Sequence, residues 1–369
     1  MAKKEKEYKL KDHQLSITYL HIWIRLLIQN KVSFSKYPMA FRIWLFVILT
    51  QPFQWLQKLL FHVRIRRVNL QNDPPVFILG HWRSGTTHLH YMMVRDKQFG
   101  YLSNYQAFLL NVSLIGRTWL KVLLTPLMPS KRPQDNVKMT PDEPAEDEQP
   151  FTNQSSRSGM QSFFFPKNII YHERYHLFRK IKPFQMRKWR KDYLFLLKTI
   201  SYVNGEKQLV LKNPHNTGRV KQLLELFPNA KFIFIHRHPY DTFVSSRHHY
   251  KKVISTQFLQ EFSEQETDER ILYIFETMLQ KYLDERHMVP EGNLIEVSFD
   301  ELEQKPWDTL ERIYKGLNLP GLETARPEIE SYLNSVTNYK KNNYELDETM
   351  KKEIRNRWDF AFKAWNYNY

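Results

Sequence analysis

Cysteine is absent from this 369-residue sequence. Its absence excludes disulfide bonds and thiolate chemistry, and it suits a reducing compartment. The 14 histidines show no H-E-x-x-H run or similar ligand spacing, so the sequence implies no metal. Zinc-finger spacings and recognisable RNA-binding motifs are missing as well, which argues against a nucleic-acid partner.

Long apolar runs are also missing from the aromatic-rich N-terminal region. Its longest charge-free run, Ile43 to Gln57, has 15 residues and includes three glutamines and a proline. A spanning helix needs about 20 predominantly apolar residues, so this run argues against a membrane span. Residues 1–14 lack an apolar core behind their basic side chains, and we therefore expect no secretory signal there.

Positive charge is present in excess: 55 Lys and Arg stand against 39 Asp and Glu, which gives a net charge of +16. Such an excess suits nucleic acid, an anionic membrane surface or an anionic small molecule. Because motifs for nucleic acid are missing, the membrane surface and the small anion are the partners that the charge favours.

Residues 15–70 are dense in apolar and aromatic side chains, with five cations close to them. This pattern predicts helices that lie in a membrane interface, with aromatic rings at headgroup depth and cations near anionic lipid. A soluble helical subdomain packed on the core, or a dimer interface, are the alternatives. Because Asn69–Pro75 reads as a turn, we predict a helical membrane-interface segment over residues 1–70 and a second domain over 71–369. The five cations are Arg42, Lys58, Arg64, Arg66 and Arg67.

An anion-binding loop is predicted between Pro75 and Met93. The short apolar run Val76–Leu79 suits a buried strand, and helix-forming residues resume at His88. Backbone N–H groups of such a loop and the helix dipole attract an anion.

The loop almost matches the phosphate loop of nucleotide triphosphatases, G-x-x-x-x-G-K-[ST]. Gly80, Gly85 and Thr87 fit that pattern, but Thr86 stands where the lysine that reaches the β- and γ-phosphates belongs. A triphosphate-cleaving kinase is therefore poorly supported, whereas a loop that holds a 5′-phosphate, with charge added by Arg83, is well supported.

A second stretch repeats the strand-to-helix arrangement. Residues 231–235 read as a buried strand that leads into H-R-H-P-Y-D and then into a helix. Arg237 lies at the end of this strand and Ser245 lies two turns into the helix. Both side chains suit one phosphate, the arginine as a bidentate fork and the serine as a hydroxyl donor.

Together, the stretches GHWRSGTT and FIFIHRHPYDTFVSS resemble the two donor-binding motifs of the sulfotransferase family, including that family's spacing of eight between Arg237 and Ser245. The resemblance covers roughly Pro75 to the C-terminus and is nearest to the bacterial, membrane-associated branch. It implies that 3′-phosphoadenosine 5′-phosphosulfate (PAPS) is the sulfonate donor and that Arg237 and Ser245 hold its 3′-phosphate. Its 5′-phosphate would be held by Arg83 together with the backbone amides of Ser84, Gly85, Thr86 and Thr87.

The same resemblance suggests the residues that carry the chemistry. Lys212, in a K-x-P segment at the end of a strand, is assigned to the bridging oxygen or the sulfonyl group. The catalytic base is sought in the acidic run at 142–148, where Glu146 and Glu148 are the first choices and His215 is the third candidate. The basic C-terminal segment that family members place over the 3′-phosphate suggests Lys340 and Lys341. Ordinary structural interpretations also exist: Lys212 as a lysine at a strand end, the acidic run as a solvated loop, and Lys340 and Lys341 as a pair on the surface.

Strand-like and helix-like segments alternate along the chain, with strands near residues 76, 209, 231 and 293. This alternation predicts an α/β fold: a three-layer, P-loop-like parallel sheet flanked by helices, with an N-terminal helical extension. Ligands of such sheets bind at the carboxyl ends of the strands, which is where all three motifs lie.

We therefore predict a sulfotransferase that moves a sulfonate from PAPS to a hydroxyl or amine of a hydrophobic acceptor, for which a lipid is one candidate. Because PAPS is made in the cytosol, we expect the protein in the cytoplasm, on the inner face of the membrane. The alternatives are a P-loop-like kinase or other phosphotransferase, and a non-catalytic peripheral membrane protein with a degenerate nucleotide site. The sequence does not identify the acceptor or the oligomeric state.

Overall fold

The computed structural model describes residues 13–116, 119–125, 139–336 and 346–369. Its centre is a sheet of four parallel strands in the order β2-β1-β3-β4. The order differs from the chain order because the connection from β2 to β3 passes over β1. The strands are β1 (Val76–Leu79), β2 (Val210–Lys212), β3 (Lys231–His236) and β4 (Leu294–Ser298).

Helices surround this sheet and make up most of the described chain. Short 3-10 helices also occur, and the one at Pro214–Arg219 follows β2 directly. The α-helices are α1 (Leu20–Gln29), α2 (Tyr37–Arg67), α3 (Thr86–Met93), α4 (Asn104–Leu109), α5 (Trp119–Leu124), α6 (Glu148–Gln154), α7 (Ile169–Glu173), α8 (Pro183–Val203), α9 (Val220–Leu226), α10 (Pro239–Lys252), α11 (Glu264–Glu285), α12 (Phe299–Gln304), α13 (Pro306–Gly316), α14 (Leu322–Val336) and α15 (Glu348–Ala364).

The sheet lies between two hydrophobic cores, one on each face. Side chains of a strand point alternately to the two faces, so Phe77 and Leu79 of β1 join one core while Val76 and Ile78 join the other. Both faces are covered, which explains why the strands are continuous apolar runs rather than alternating ones. The predicted three-layer α/β fold is confirmed.

The N-terminal helices are not detached from the rest of the protein. Leu15, Trp23 and Ile43 are fully buried and belong to the same core as Phe77 of the central strand. Within the described residues, no helix combines the length and the apolar character needed to cross a bilayer.

Candidate active site

The phosphate loop joins β1 to α3 and depends on two glycines. Gly80 and Gly85 have φ values of 142° and 97°, a region that glycine adopts without strain. A Cβ at Gly80 would overlap the carbonyl oxygen of Ile235, and one at Gly85 would overlap the ring of Phe299. The loop is thus closely packed against β3 and the start of α12, so its backbone is held at the end of the sheet.

Other hydrogen bonds fix this loop. The Gly80 N–H donates to Thr217 Oγ1 at 2.8 Å, and Ser84 Oγ donates to the His81 carbonyl at 2.7 Å. Arg83 has a φ of 71°, which is unusual for a residue with a side chain. The loop ends at Thr86, the first residue of α3, so the N-terminus of that helix lies beside Arg83.

The two predicted anion-binding motifs meet. Arg83 Nε donates to Ser245 Oγ at 3.0 Å, and Arg237 Nη1 donates to the Arg83 carbonyl at 3.4 Å. Arg237 also pairs with Asp241 at 3.3 Å and lies 4.8 Å from the centre of the Phe299 ring. Its Nε is buried and has no hydrogen-bond partner among the described residues. A cation with a donor left over suits a site for an additional anion.

Lys212 and Glu146 form a pair at the end of the next strand. Lys212 Nζ donates to Glu146 Oε1 at 2.6 Å, and a parallel bridge joins the backbones of the two residues. The Glu146 side chain is 16% exposed and that of Lys212 is 4% exposed, so the carboxylate lies at the rim and the ammonium behind it. The pair combines a proton acceptor with a cation at one place.

Glu148 lies only two residues away but is fully enclosed. Its carboxylate accepts hydrogen bonds from Arg219, Ser158 and the Gly159 amide, and both ends of the ion pair have 0% side-chain exposure. Burial by itself raises the pKa of Glu148, but the charge of Arg219 outweighs it and holds the pKa well below its usual value. The ion pair with Arg219 therefore favours the ionised carboxylate, and the side chain has no exposed surface that an acceptor could reach.

Asp147, between the two glutamates, is also buried. Tyr193 Oη donates to its Oδ2 at 2.8 Å and Asn213 Nδ2 does so at 3.1 Å, while Oδ1 has no partner among the described residues. Burial and the neighbouring charge of Glu148 raise the pKa of Asp147 to about 7. Asp147 is thus held as a neutral acid over much of the acidic pH range.

We expect Asp147→Asn to remove one pH-dependent contribution to stability. A carboxyl whose pKa is raised on folding stabilises the fold fully below its unfolded pKa, and this contribution is lost as pH rises through about 7. The amide oxygen of asparagine can accept the same two hydrogen bonds without titrating. Melting temperatures measured from pH 5 to pH 8 should therefore favour the variant increasingly as pH rises. A difference between variant and wild type that does not change with pH would contradict this assignment.

His215 is packed inside the protein. It is 1% exposed, and its ring lies perpendicular to that of Trp82, with centroids 4.8 Å apart, and beside His176 and Phe163. Burial lowers its pKa to about 4. His215 thus lies inside the protein, against Trp82 of the phosphate loop, rather than on the exposed side of that loop. The predicted pair Lys340 and Lys341 lies outside the described residues.

Three residues that hold the acidic segment in place were not among those predicted. Arg219 and Asn213 contact Glu148, and Tyr193 contacts Asp147. Arg219 and Tyr193 carry no local sequence signal, since they come from the segment after β2 and from α8. The run K-N-P-H was the one available indication, because Asn213 lies directly after the candidate Lys212.

The candidate residues line up along one edge of the sheet. Lys212 ends β2, the phosphate loop follows β1, and Arg237 follows β3, and these three strands are neighbours in that order. Adjacent strands lie about 4.8 Å apart, so the row from Lys212 to Arg237 spans on the order of 10 Å. One edge of the sheet therefore presents an ion pair of a lysine and a glutamate, then a loop of backbone amides, then a second cationic site at Arg237.

A sheet and loop of this kind are typical of group-transfer proteins. Comparison of the sequence with known families shows which of these families the chain belongs to. The Sulfotransferase family model matches residues 74–324, more than half of the chain, and the chain belongs to this family.

The chain is similar to several mycobacterial proteins. The chain is 28% identical over 348 residues to omega-hydroxy-beta-dihydromenaquinone-9 sulfotransferase Stf3 of Mycobacterium bovis. The aligned region covers 94% of this chain and 89% of that protein. Two crystal structures share the fold. Sulfotransferase STF9 of Mycobacterium avium has a TM-score of 0.67 and 15% identity, and the match covers 94% of this chain and 96% of that one. Sulfotransferase STF1 of Mycobacterium tuberculosis H37Rv has a TM-score of 0.63 and 16% identity, and the match covers 92% of this chain and 90% of that one. The predicted family is thus confirmed.

Proposed function

We propose that this sulfotransferase takes its sulfonate group from PAPS and transfers it to a hydroxyl of a hydrophobic, lipid-like acceptor. The observation that carries the donor assignment is the order of the three strand ends. The charged groups of PAPS follow one another as 3′-phosphate, 5′-phosphate and sulfonate. Arg237, the phosphate loop and Lys212 follow one another in the same order along the sheet.

Donor selection rests on the second cationic site in this proposal. The unpartnered Nε of Arg237 and the hydroxyl of Ser245, which already contacts Arg83, offer hydrogen-bond donors to a 3′-phosphate. The amides of Ser84 to Thr87 and the N-terminus of α3 offer donors to the 5′-phosphate. Ordinary adenine nucleotides lack the 3′-phosphate and would leave the first set of donors without an anion.

Proton transfer is assigned to the pair at the end of β2. The acceptor oxygen forms a bond to sulfur as the bond between sulfur and the bridging phosphate oxygen breaks, and the hydroxyl proton passes to the Glu146 carboxylate. Lys212 stabilises the negative charge that develops on the leaving phosphate. The products are a sulfate ester and adenosine 3′,5′-bisphosphate. Glu146 is preferred over Glu148 because its carboxylate lies at the rim, while Glu148 is enclosed by Arg219.

The acceptor class is supported by one relative and by the aromatic character of the chain. The 28% identical mycobacterial enzyme is named for a hydroxylated menaquinone derivative, which is a hydrophobic molecule with a hydroxyl group. Incubation of the protein with radiolabelled PAPS and a total lipid extract, followed by chromatography, should give a labelled product that partitions into organic solvent. Label confined to water-soluble products would contradict a lipid acceptor.

We also propose that the protein works from the cytoplasmic side, peripherally bound to the membrane. The donor is a cytosolic metabolite, and a lipid acceptor resides in the bilayer.

Replacement of Arg237 by alanine tests the donor assignment directly. We expect adenosine 3′,5′-bisphosphate to bind about 100-fold more weakly to the variant, because a charge-assisted contact to the 3′-phosphate is lost. Affinity for AMP, which has no 3′-phosphate, should change little. Isothermal titration calorimetry with both nucleotides measures the two effects.

Arg326→Ala is the matched control, since it removes a guanidinium from the surface of α14, where it pairs with Glu323. It should leave both affinities unchanged. Equal affinity of the wild-type protein for AMP and for the bisphosphate would overturn the assignment of PAPS as donor.

A further inference from the structure

The long helix α2 exposes most of its large apolar side chains and buries three glutamines alongside Ile43, Val47 and Ile65. Its buried stripe is narrow and includes Gln51, Gln54 and Gln57, which are at most 7% exposed. In an ordinary surface helix the polar residues face water and the apolar ones face the core. The large apolar side chains that α2 exposes instead are Phe41, Trp44, Leu45, Phe46, Ile48, Leu49, Phe53, Trp55, Leu56, Leu59, Leu60 and Val63.

The buried glutamines explain why α2 keeps this orientation. Gln51 Oε1 accepts from the Leu20 amide at 2.7 Å, and Gln57 Nε2 donates to the Leu110 carbonyl at 2.7 Å while its Oε1 accepts from the Leu114 amide at 2.8 Å. Rotation of the helix to bury its apolar side would leave these backbone groups without partners, at a cost of about 1–3 kcal/mol each. The outward apolar face is therefore a fixed feature of the fold.

Large apolar side chains are also exposed on α1, in the turn after it and on α5. Ile24 and Ile28 of α1 and Phe34 in the following turn are exposed, and so are Trp119 and Val122 of α5. We use the name outer face for these residues together with the exposed apolar residues of α2. This number of exposed large apolar side chains on a few segments exceeds what soluble monomers usually expose, and it marks an interaction surface.

The charge of residues 13–72 indicates which partner binds the outer face. From His13 to Asn72 the chain contains eight lysines and arginines and no aspartate or glutamate. In the described part of the chain, none of these eight cations takes part in an ion pair. A second copy packed on the outer face about a two-fold axis would bring cations against cations. An anionic bilayer surface offers hydrocarbon for the apolar side chains and negative headgroups for the cations.

We infer that the outer face docks onto an anionic membrane surface, with α2 lying in the plane of the interface. Trp44, Trp55 and Phe41 then lie at headgroup depth and the leucines lie deeper. Arg42, Lys58 and the C-terminal arginines of α2 contact lipid headgroups. This assigns to α2 the role of an interfacial anchor rather than of a spanning helix.

Docking on this face also brings the bilayer close to the proposed base, an arrangement that rests on the proposed function. Gln57 of α2 holds the turn at Leu110, which directly follows α4. Ser103 caps α4 and pairs with Pro144, two residues before Glu146. These contacts link α2 through α4 to the loop that carries the base, which suits an acceptor drawn from the bilayer.

Sedimentation with vesicles tests the docking surface without donor or acceptor. The wild-type protein should bind vesicles of about equal parts phosphatidylglycerol and phosphatidylcholine, and it should bind pure phosphatidylcholine more weakly. The double variant Trp55→Gln/Leu59→Gln should bind anionic vesicles at least about tenfold more weakly, because two inserted side chains are lost. Arg64→Gln should weaken binding about fivefold on anionic vesicles only, which corresponds to one lost lipid contact.

Two matched controls lie elsewhere on the surface. Met288→Gln replaces another exposed apolar side chain, and Lys305→Gln another exposed cation, so neither should alter vesicle binding. All variants should keep the circular dichroism and melting temperature of the wild type.

The inference is overturned if the wild-type protein stays in the supernatant of anionic vesicles. It is equally overturned if the protein forms a dimer in solution that Trp55→Gln/Leu59→Gln dissociates, since a second copy would then cover the outer face. Calorimetry with adenosine 3′,5′-bisphosphate on the same samples separates this outcome from failure of the proposed function, because donor binding does not require the membrane.

Discussion

Glu146→Gln should lower kcat by about 10²- to 10⁴-fold while the KM for PAPS changes little. The expectation follows from its proposed role as the base, since loss of a positioned proton acceptor typically has an effect of that size. Glutamine keeps the shape of the side chain and a hydrogen-bond acceptor for Lys212 Nζ, so the backbone bridge between residues 146 and 212 should persist. Steady-state kinetics with a labelled donor measure both constants.

Asp142→Asn serves as the control for this loop. Asp142 is exposed and pairs with Lys121, so its neutralisation removes a nearby carboxylate without touching the end of β2. Its kcat should stay within about twofold of the wild-type value, because exposed ion pairs contribute little. A Glu146→Gln enzyme with wild-type kcat would exclude Glu146 as the base.

Glu148→Gln should instead destabilise the fold, by about 3–5 kcal/mol. The substitution leaves the Arg219 guanidinium buried without a counter-charge, since the pair has no exposure on either side. The hydrogen bonds from Ser158 and Gly159 would also meet a weaker acceptor. Urea denaturation followed by circular dichroism measures the free energy of unfolding, and the midpoint should shift to lower urea at an unchanged slope.

The double variant Glu148→Gln/Arg219→Gln is the informative control. Removal of both charges avoids the isolated buried cation, so part of the lost stability should return. If Glu148→Gln kept wild-type stability but lost activity, the enclosed carboxylate would be the base and the assignment to Glu146 would fall.

These two variants separate roles that the sequence alone left open. Glu146, Asp147 and Glu148 are consecutive acids in one loop, and nothing in their spacing distinguishes a base from a structural ion pair. In the structure they contact three different partners: Lys212 at the rim, and Tyr193 and Arg219 inside the protein. Those partners come from β2, α8 and the segment after β2, which are distant in the chain.

The orientation of α2 is a second feature that the sequence did not reveal. Gln51, Gln54 and Gln57 counted there as interruptions of an apolar run, which argued against a membrane span. The structure shows them as part of the buried stripe of the helix, hydrogen-bonded to backbone groups near Leu20 and Leu110. A pattern of polar residues at helical spacing cannot say whether that face meets water or unsatisfied backbone.

The sequence by itself determined the parallel sheet, the phosphate loop between Gly80 and Gly85, and the Arg237 motif after β3. These are local features: a buried strand needs a short apolar run, and a loop with positive φ values needs glycine at the turning points. Only the tertiary structure decided that Arg83 meets Ser245, that Lys212 meets Glu146, and that Arg219 neutralises Glu148. Each of these pairs joins segments more than 60 positions apart, and burial together with the geometry of the strand ends, rather than chain order, decides which charges meet.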